Sequence, residues 1–212
     1  MRYITIKDYS RQENVWSDLA ISKPALEGST NRILQQMSQA GYGEHNLLIY
    51  PDLTELQEIY SRYFNSRLKT GEEIVILLST YETVDAVKRT LIDHDINASR
   101  FEKDGSLIIL DSVAVHFGSD SNIIPTIENF AKRAENRGND GCSMLADMGS
   151  FNLMGTGHEL LKYETSVPVK IDPIKCKVFC AYHQANFNRL SDSEKQLLFE
   201  HHLRNLVITE TN

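Results

Sequence analysis

The sequence has few of the features that mark secreted or membrane-spanning proteins. Its three cysteines, Cys142, Cys176 and Cys180, form no Cys-x-x-Cys pair, which argues against a disulfide framework and favours a reducing compartment. No apolar run approaches the roughly 18 residues of a spanning helix, and the first residues lack the charged, apolar and small-residue order of a secretion signal. We therefore expect a soluble, cytoplasmic protein that makes no membrane contact.

Basic residues are also too few for a nucleic-acid surface. Lys and Arg number 22 against 29 Asp and Glu, and the formal net charge is -7 at pH 7. The densest basic segment, KRAENR, is interrupted by an acid at helical spacing, as in a solvated helix face. Because phosphate neutralisation needs a basic stripe, we expect no direct nucleic-acid binding. The same shortage disfavours a helix-turn-helix in residues 1–43, which we interpret as an N-terminal helical extension of two short helices.

Apolar runs alternate with amphipathic segments from residue 44 onward. Six of these runs predict strands: NLLIY, EEIVILLST, SLIILD, GCSMLADM, CKVFCAY and NLVIT. Unbroken Ile, Val and Leu runs indicate strands covered on both faces, and their alternation with helices indicates parallel crossovers. We therefore predict a three-layer α/β domain over residues 44–212, with a mostly parallel sheet flanked by helices. Ligands of such sheets lie outside the carboxyl ends of the strands.

The turn after the first strand, within YPDLTELQE, lacks the parts of a phosphate loop. Such a loop needs glycines, so that backbone N–H groups can approach phosphates, and a lysine to meet their charge. This turn has neither. Pro51 removes a donor, and Asp52, Glu55 and Glu58 would repel a phosphate. We interpret Asp52 as a helix N-cap, with Glu55 completing a capping-box-like arrangement.

Motifs for metal binding and covalent catalysis are also missing. The segment CAYH, with Cys180 and His183, and the pair His201 and His202 suggest zinc. However, Cys176 and Cys180 share one strand face and look like core residues, while adjacent histidines on a helix point apart. No G-x-S-x-G elbow and no supported Cys nucleophile is present. We expect no metal, no cofactor and no catalytic residue.

Seven short motifs stand in the order and spacing of the MEDS domain. They are HNLLIY, LKTGEEIVILLS, DGSLIILDS, LADMGSF, ELLKYETS, VFCAYHQANF and HHLRNLVI. The chain resembles this sensory domain of a methylotroph dichloromethane-response regulator and of methanogen proteins over about residues 44 to 208. The resemblance implies a RecA-like or KaiC-like fold without Walker A. It also implies sensing of small organic ligands, often hydrocarbon derivatives, in signalling or transcriptional regulation.

The sequence departs from the family pattern after the fourth strand. Family members typically place a carboxylate, a methionine and an aromatic residue there, matched by Asp147, Met148 and Phe151. The usual acid is glutamate and the usual aromatic is tryptophan, so this chain differs in both. These two changes bear on the size and polarity of the ligand.

Further matches complete the predicted site. Tyr163 and Glu164 match the family's Tyr-Glu pair, Tyr182 matches the aromatic that closes the fifth strand, and His45 matches its characteristic histidine. His45 could hydrogen-bond a ligand or Glu164; the alternative is a surface histidine at a strand edge. For any single aromatic the alternative is ordinary packing. With Tyr50 from the predicted rim, the ligand-binding set is His45, Tyr50, Asp147, Met148, Phe151, Tyr163, Glu164 and Tyr182.

Three hypotheses follow for function. The first is a non-catalytic sensory domain that binds a small organic molecule and passes its occupancy to a signalling partner. The second is an enzyme, either a divergent RecA-like ATPase or a hydrolase using Asp147 and Glu164. The third is a protein-interaction module with a vestigial pocket. RecA-like relatives often self-associate, so a homo-oligomer is compatible with each.

Overall fold

A six-stranded parallel sheet forms the centre of the protein. The computed structural model describes residues 23–118 and 123–208, with side chains from residue 30 onward. The strands lie in the order β3-β2-β4-β5-β1-β6, and all their pairings are parallel. The predicted α/β fold is therefore confirmed. The strands are β1 (His45–Tyr50), β2 (Glu73–Ser79), β3 (Leu107–Asp111), β4 (Gly141–Asp147), β5 (Cys176–His183) and β6 (Asn205–Val207).

Helices connect the strands and cover both faces of the sheet. The long helices were predicted by their apolar periodicity, whereas α4, α5, α7 and α9 have only four to seven residues and show too little periodicity to predict. The helices are α1 (Lys23–Ser38), α2 (Leu53–Thr70), α3 (Val84–Asp93), α4 (Ala98–Asp104), α5 (Ser112–His116), α6 (Ile123–Asn136), α7 (Gly149–Leu153), α8 (Gly157–Ser166), α9 (Gln184–Phe187) and α10 (Asp192–His201). Among the described residues, no helix is both long and apolar enough to span a membrane.

Strand alternation divides the core into two layers, because successive side chains point to opposite sides of a sheet. Leu48, Leu145 and Phe179 pack with the helix that follows β1, and we call this side the α2 face. The other side, which we call the α8 face, is covered by α6 and α8. Its strand residues include Leu47, Ile49, Met144, Ala146, Val178 and Cys180.

At the start of α2, the predicted N-cap at Asp52 is confirmed, whereas the predicted role of Glu55 is not. Asp52 accepts a hydrogen bond from the Glu55 backbone N–H at 3.0 Å, as an N-cap does. The Glu55 carboxylate accepts from the hydroxyl of Thr30 on α1, also at 3.0 Å, and does not complete a reciprocal box among the described residues. A full capping box forms instead at α10, between Ser191 and Glu194.

The second helix predicted in the N-terminal extension corresponds to α1. Its Ile33 and Met37 are buried in the same core as α2. The first predicted helix, in residues 10–20, lies outside the described residues.

A buried ion pair joins the amino ends of the central strands. Lys177 on β5 donates to Glu73 on β2 at 2.6 Å, and both side chains are buried. Glu73 also accepts from Ser143 on β4 and, at 3.2 Å, from Tyr42. Because these contacts tie three strands together through one carboxylate, removing the lysine would leave that carboxylate with a weaker set of partners.

We expect Lys177→Met to lower the free energy of unfolding by about 3 kcal/mol, because it leaves a buried charge poorly compensated. The double variant E73Q/K177M, which removes both charges, should recover most of that loss. Urea denaturation of the two variants measures the difference. Lys175→Met is the control, since its ammonium is half exposed and 3.6 Å from Glu135; it should change stability by less than about 0.5 kcal/mol. Equal stability of wild type and K177M would contradict the expectation.

Candidate functional site

The predicted ligand-binding residues fall on two sides of the sheet. Tyr50 and Asp147 lie at the carboxyl ends of β1 and β4 and hydrogen-bond to each other at 3.3 Å, beneath the α2 face. The other six are associated with the α8 face: His45, Met148, Phe151, Tyr163, Glu164 and Tyr182. The structure therefore brings six candidates together and separates two, because side chains alternate along a strand.

A buried polar cluster lies at the centre of the α8 face. It consists of His45, Glu164, Cys180, Tyr182 and His202, all of them buried. His45 opens β1, Cys180 and Tyr182 lie on β5, Glu164 lies on α8, and His202 follows α10. The alternative of a surface histidine is therefore wrong for His45, which is fully buried.

The Glu164 carboxylate is the hub of this cluster. Its Oε2 lies 3.3 Å from His45 Nε2 and 3.5 Å from His202 Nε2, while its Oε1 accepts a hydrogen bond from the Tyr182 hydroxyl. His45 Nε2 also lies 3.2 Å from Cys180 Sγ. The predicted contact between His45 and Glu164 is therefore present.

Burial and charge act in opposite directions on the pKa of Glu164 and in the same direction on the pKa values of Cys180 and Tyr182. Burial by itself raises the pKa of Glu164, but the contacts with His202 and His45 outweigh it and hold that pKa well below its ordinary value. Burial raises the pKa of the Cys180 thiol, and the charge of Glu164 raises it further. The same two causes raise the pKa of Tyr182, whose hydroxyl stays a donor. Glu164 is thus an ionised carboxylate in the protein interior.

A small cavity adjoins the cluster between the sheet, α6 and α8. Its volume is about 10 Å³, which is about the space that one water molecule needs. His45 and Cys180 form part of its wall, together with Met148, Tyr163 and His116. The rest of the wall is aliphatic apart from the thioether of Met144: Ile123, Ile127, Met144, Ala146, Val167 and Val178.

Aromatic rings fix the Tyr163 side of the cavity. Tyr163 packs on Phe151 and on His116, with ring centroids 5.1 and 5.0 Å apart. His116 Nδ1 lies 2.7 Å from the Ser150 hydroxyl and 3.1 Å from the Ser112 hydroxyl. Burial lowers the pKa of His116 to about 4, so this ring is neutral near pH 7.

Three members of this region were missed from the sequence. Cys180 and His202 were considered only with neighbours close in sequence, and His116 lies in α5, a helix too short to predict. The sequence signal that could have found His116 is its place just after the third strand, at the edge where functional groups of parallel sheets collect.

Tyr50 and Asp147 form a separate structural pair. Asp147 Oδ1 accepts from the Tyr50 hydroxyl and, at 2.9 Å, from the Gly149 backbone N–H. Burial raises the pKa of Asp147 to about 7, although these hydrogen bonds oppose the shift. The pair closes the carboxyl edge of β1 and β4, away from the cavity.

The raised pKa of Asp147 predicts a pH-dependent stability. The folded state keeps this proton up to about pH 7, whereas the unfolded chain releases it near pH 4, so stability is lost as pH rises between these values. Asp147→Asn should remove this loss and gain up to roughly 4 kcal/mol relative to wild type between pH 4 and pH 8, at about 1.4 kcal/mol per pKa unit.

Urea denaturation across that pH range measures the effect. Tyr50→Phe is the matched control, because it removes one hydrogen bond and leaves the carboxyl group buried. It should keep the wild-type loss of stability with rising pH and make it somewhat larger, because the Tyr50 hydrogen bond lowers the pKa of Asp147. A D147N variant with an unchanged pH profile would contradict the prediction.

Comparisons with known proteins place the fold and the family. No curated protein matches the chain. A KaiC-like protein from the hyperthermophilic archaeon Pyrococcus horikoshii OT3 is similar in structure, with a TM-score of 0.50 and 14% identity over 74% of this chain and 70% of that one. The Aeropyrum pernix ORC2 protein, in ADPNP-ADP complexes, matches 93% of this chain and 52% of its own at 10% identity, with a TM-score of 0.38 that is too low to bear on the fold.

The sequence itself matches one family. The profile of the MEDS family, described as the methanogen/methylotroph, DcmR sensory domain, matches residues 44–202. This range includes β1 to β5, the cavity and every member of the buried polar cluster. The chain therefore belongs to the MEDS family of sensory domains, and its fold is the KaiC-like, RecA-like α/β fold that its sequence predicted.

Proposed function

We propose that this chain is a non-catalytic sensory domain that binds a small, mostly apolar organic molecule in the α8-face cavity and signals its occupancy to a partner protein. The observation that carries the proposal is the composition of the cavity wall. It is aliphatic and aromatic for the most part, and His45, His116 and Tyr163 are the lining residues that carry a ring nitrogen or a hydroxyl group. Ligand pockets for small organic molecules are built in this way.

The size of the cavity limits the ligand. With about 10 Å³ in the structure, the space of about one water molecule, even a ligand of one to three carbon atoms could enter only if the wall moves. Met144 and Met148 lie in the wall, and unbranched methionine side chains adapt readily to a guest. A short hydrocarbon derivative, such as a halogenated or hydroxylated one, suits these walls.

Polar side chains in the wall could orient such a ligand. The Tyr163 ring lines the cavity beside the neutral His116 ring. A hydroxyl or imidazole group there could hydrogen-bond the single polar substituent of such a ligand. The hydrolase hypothesis loses support, because Asp147 lies on the α2 face and Glu164 on the α8 face.

The β1–α2 turn supports a non-catalytic role. In a phosphate loop, backbone N–H groups at the start of the helix bind phosphate oxygens. Here Asp52 already accepts from the Glu55 N–H, and its carboxylate puts negative charge at that position. A nucleotide phosphate would have to displace this cap against like charge.

Helix α8 offers a route from cavity to surface. Its Tyr163 lines the cavity, its neighbour Glu164 is the hub of the buried cluster, and the helix packs against α10. A ligand that displaces Tyr163 would therefore act on α8 and on the cluster that anchors it. The signalling partner would sense this change in α8 and α10.

Binding is tested by thermal denaturation with a panel of one- to three-carbon alcohols, amines and halogenated alkanes, and separately with ATP and Mg²⁺. We expect saturable stabilisation by at least one small organic compound, because a ligand at 100 times its Kd stabilises the folded state by about 2.7 kcal/mol. Methyl NMR signals of Met144 and Met148 should shift in the same titration. Stabilisation by ATP and Mg²⁺, or by neither class, would contradict the proposal.

Variants locate the site. Ala146→Val adds two methyl groups to the cavity wall and should abolish the stabilisation, because it fills the available space. Tyr163→Phe should weaken binding about tenfold, the effect of one hydrogen bond. Tyr63→Phe is the matched control, since it removes a buried hydroxyl on the α2 face and should bind like wild type. Unchanged binding by A146V would place the ligand elsewhere.

A further inference from the structure

Four metal-ligating atoms converge within the buried polar cluster. They are His45 Nε2, Glu164 Oε2, Cys180 Sγ and His202 Nε2, and a set of their ligand atoms lies within 4.8 Å of one another. Each belongs to a different part of the fold: β1, α8, β5 and the residue after α10. All four side chains are buried, so the convergence is not a chance grouping on a solvated surface.

Three of the six separations between these atoms are close to those of a tetrahedral site. Ligand–metal bonds of about 2.0–2.3 Å for N, O and S donors put neighbouring ligand atoms about 3.3–3.8 Å apart in a tetrahedron. His45 Nε2 lies 3.2 Å from Cys180 Sγ and 3.3 Å from Glu164 Oε2, and His202 Nε2 lies 3.5 Å from Glu164 Oε2. The other three separations are at most 4.8 Å, so an ion at the centre would draw these four side chains together.

Two of these atoms have no hydrogen-bond partner within the described part of the chain. They are Glu164 Oε2 and His202 Nε2. His202 Nδ1 lies 2.7 Å from the Leu198 carbonyl oxygen, which can only accept, so Nδ1 carries the hydrogen. His202 Nε2 and Glu164 Oε2 face each other at 3.5 Å. Two buried polar atoms without a hydrogen-bond partner are unfavourable in a dry interior, and a cation between them would satisfy both.

Outer contacts also resemble those of a metal centre. Histidine ligands commonly donate their second N–H to a backbone carbonyl, and ligating carboxylates are themselves hydrogen-bonded. His202 has the first kind of contact, with Leu198, and Glu164 has the second, with Tyr182. Both contacts fix the orientation of a group whose remaining donor atom points into the cluster.

We propose that His45, Glu164, Cys180 and His202 form a binding site for a divalent transition-metal ion of the Zn²⁺ class. Imidazole, thiolate and carboxylate together are a donor set for Zn²⁺, or for Co²⁺ or Fe²⁺ in its place. One thiolate and one carboxylate balance the two charges of the ion, so the filled site is neutral in the protein interior. The thiol proton is released to solvent on binding.

The ion would lie beside the cavity, because His45 and Cys180 belong to both. The metal site nevertheless does not depend on the proposed sensing function. It can be measured on the protein alone, without any organic compound. Failure of one proposal is therefore distinguishable from failure of the other.

The test uses the full chain, dialysed against a chelator and then reconstituted with Zn²⁺ or Co²⁺. We expect one ion per chain by elemental analysis and a rise in Tm of at least about 5 °C with Zn²⁺. The Co²⁺ form should show tetrahedral d–d bands and a thiolate-to-cobalt charge-transfer band. That band should be absent from Cys180→Ser, which keeps the side-chain size and removes the sulfur.

Control variants separate the site from the protein's other cysteines and histidines. Cys176→Ala removes another buried cysteine. His201→Ala removes the histidine next to His202; the Nε2 atom of His201 lies 2.6 Å from the Val167 carbonyl oxygen. Both should bind one ion, whereas C180S and His202→Ala should bind at least tenfold more weakly. Circular dichroism confirms that each variant is folded before its metal content is compared.

The same measurements can overturn the proposal. A reconstituted wild type with much less than one ion per chain, or with no charge-transfer band, means that a proton-bridged network and not a metal holds the cluster. Equal Co²⁺ spectra for wild type and C180S would exclude Cys180 as a ligand. Tyr182→Phe gives an independent check, since loss of an outer contact to Glu164 should weaken metal binding about 10- to 100-fold without removing a ligand.

Discussion

The interior carboxylate of Glu164 constrains the arrangement of the whole α8 face. A charge in a dry core costs several kcal/mol unless partners compensate it. Its partners come from β1, β5 and the end of α10, through His45, Tyr182 and His202. These contacts form only when the strands are in register and both helices are docked. One buried charge therefore links parts of the chain that are far apart in sequence.

Parallel strands allow the two faces of the sheet to take different roles. On the α2 face, the Asp52 cap and the Tyr50–Asp147 pair close the carboxyl edge, where related folds bind nucleotides. On the α8 face, the cavity lies mid-sheet, under α6 and α8. The proposed ligand site is therefore a sheet-to-helix interface and not a strand-end crevice.

The two sites that we propose share a wall but differ in chemistry. The cavity is mostly aliphatic and suits a small neutral molecule, whereas the cluster beside it collects nitrogen, oxygen and sulfur donors. Because Tyr163 and Glu164 are neighbours on α8, a change on either side acts on the same helix. Coupling between an organic ligand and a metal ion would then require no long pathway.

Much of the fold could be predicted from local patterns. The six apolar runs and the cap at Asp52 depend on interactions between residues close in sequence. The short helices could not be predicted, because fewer than eight residues display too little periodicity. The contact of the Glu55 side chain could not be predicted for a different reason, because its partner, Thr30, lies on another helix.

The sequence by itself determined the parallel α/β fold, the absence of phosphate-loop glycines and lysine in the β1–α2 turn, and the MEDS motifs. These are properties of runs, spacings and residue types. Only the tertiary structure decided that Tyr50 and Asp147 lie apart from the other candidates, and that Cys180 and His202 join His45 and Glu164. The physical reason is that ligand atoms are positioned by strand register and helix docking. His202 shows this most clearly, because α10 ends at His201 and the extended backbone of the next residue gives the two adjacent rings different partners.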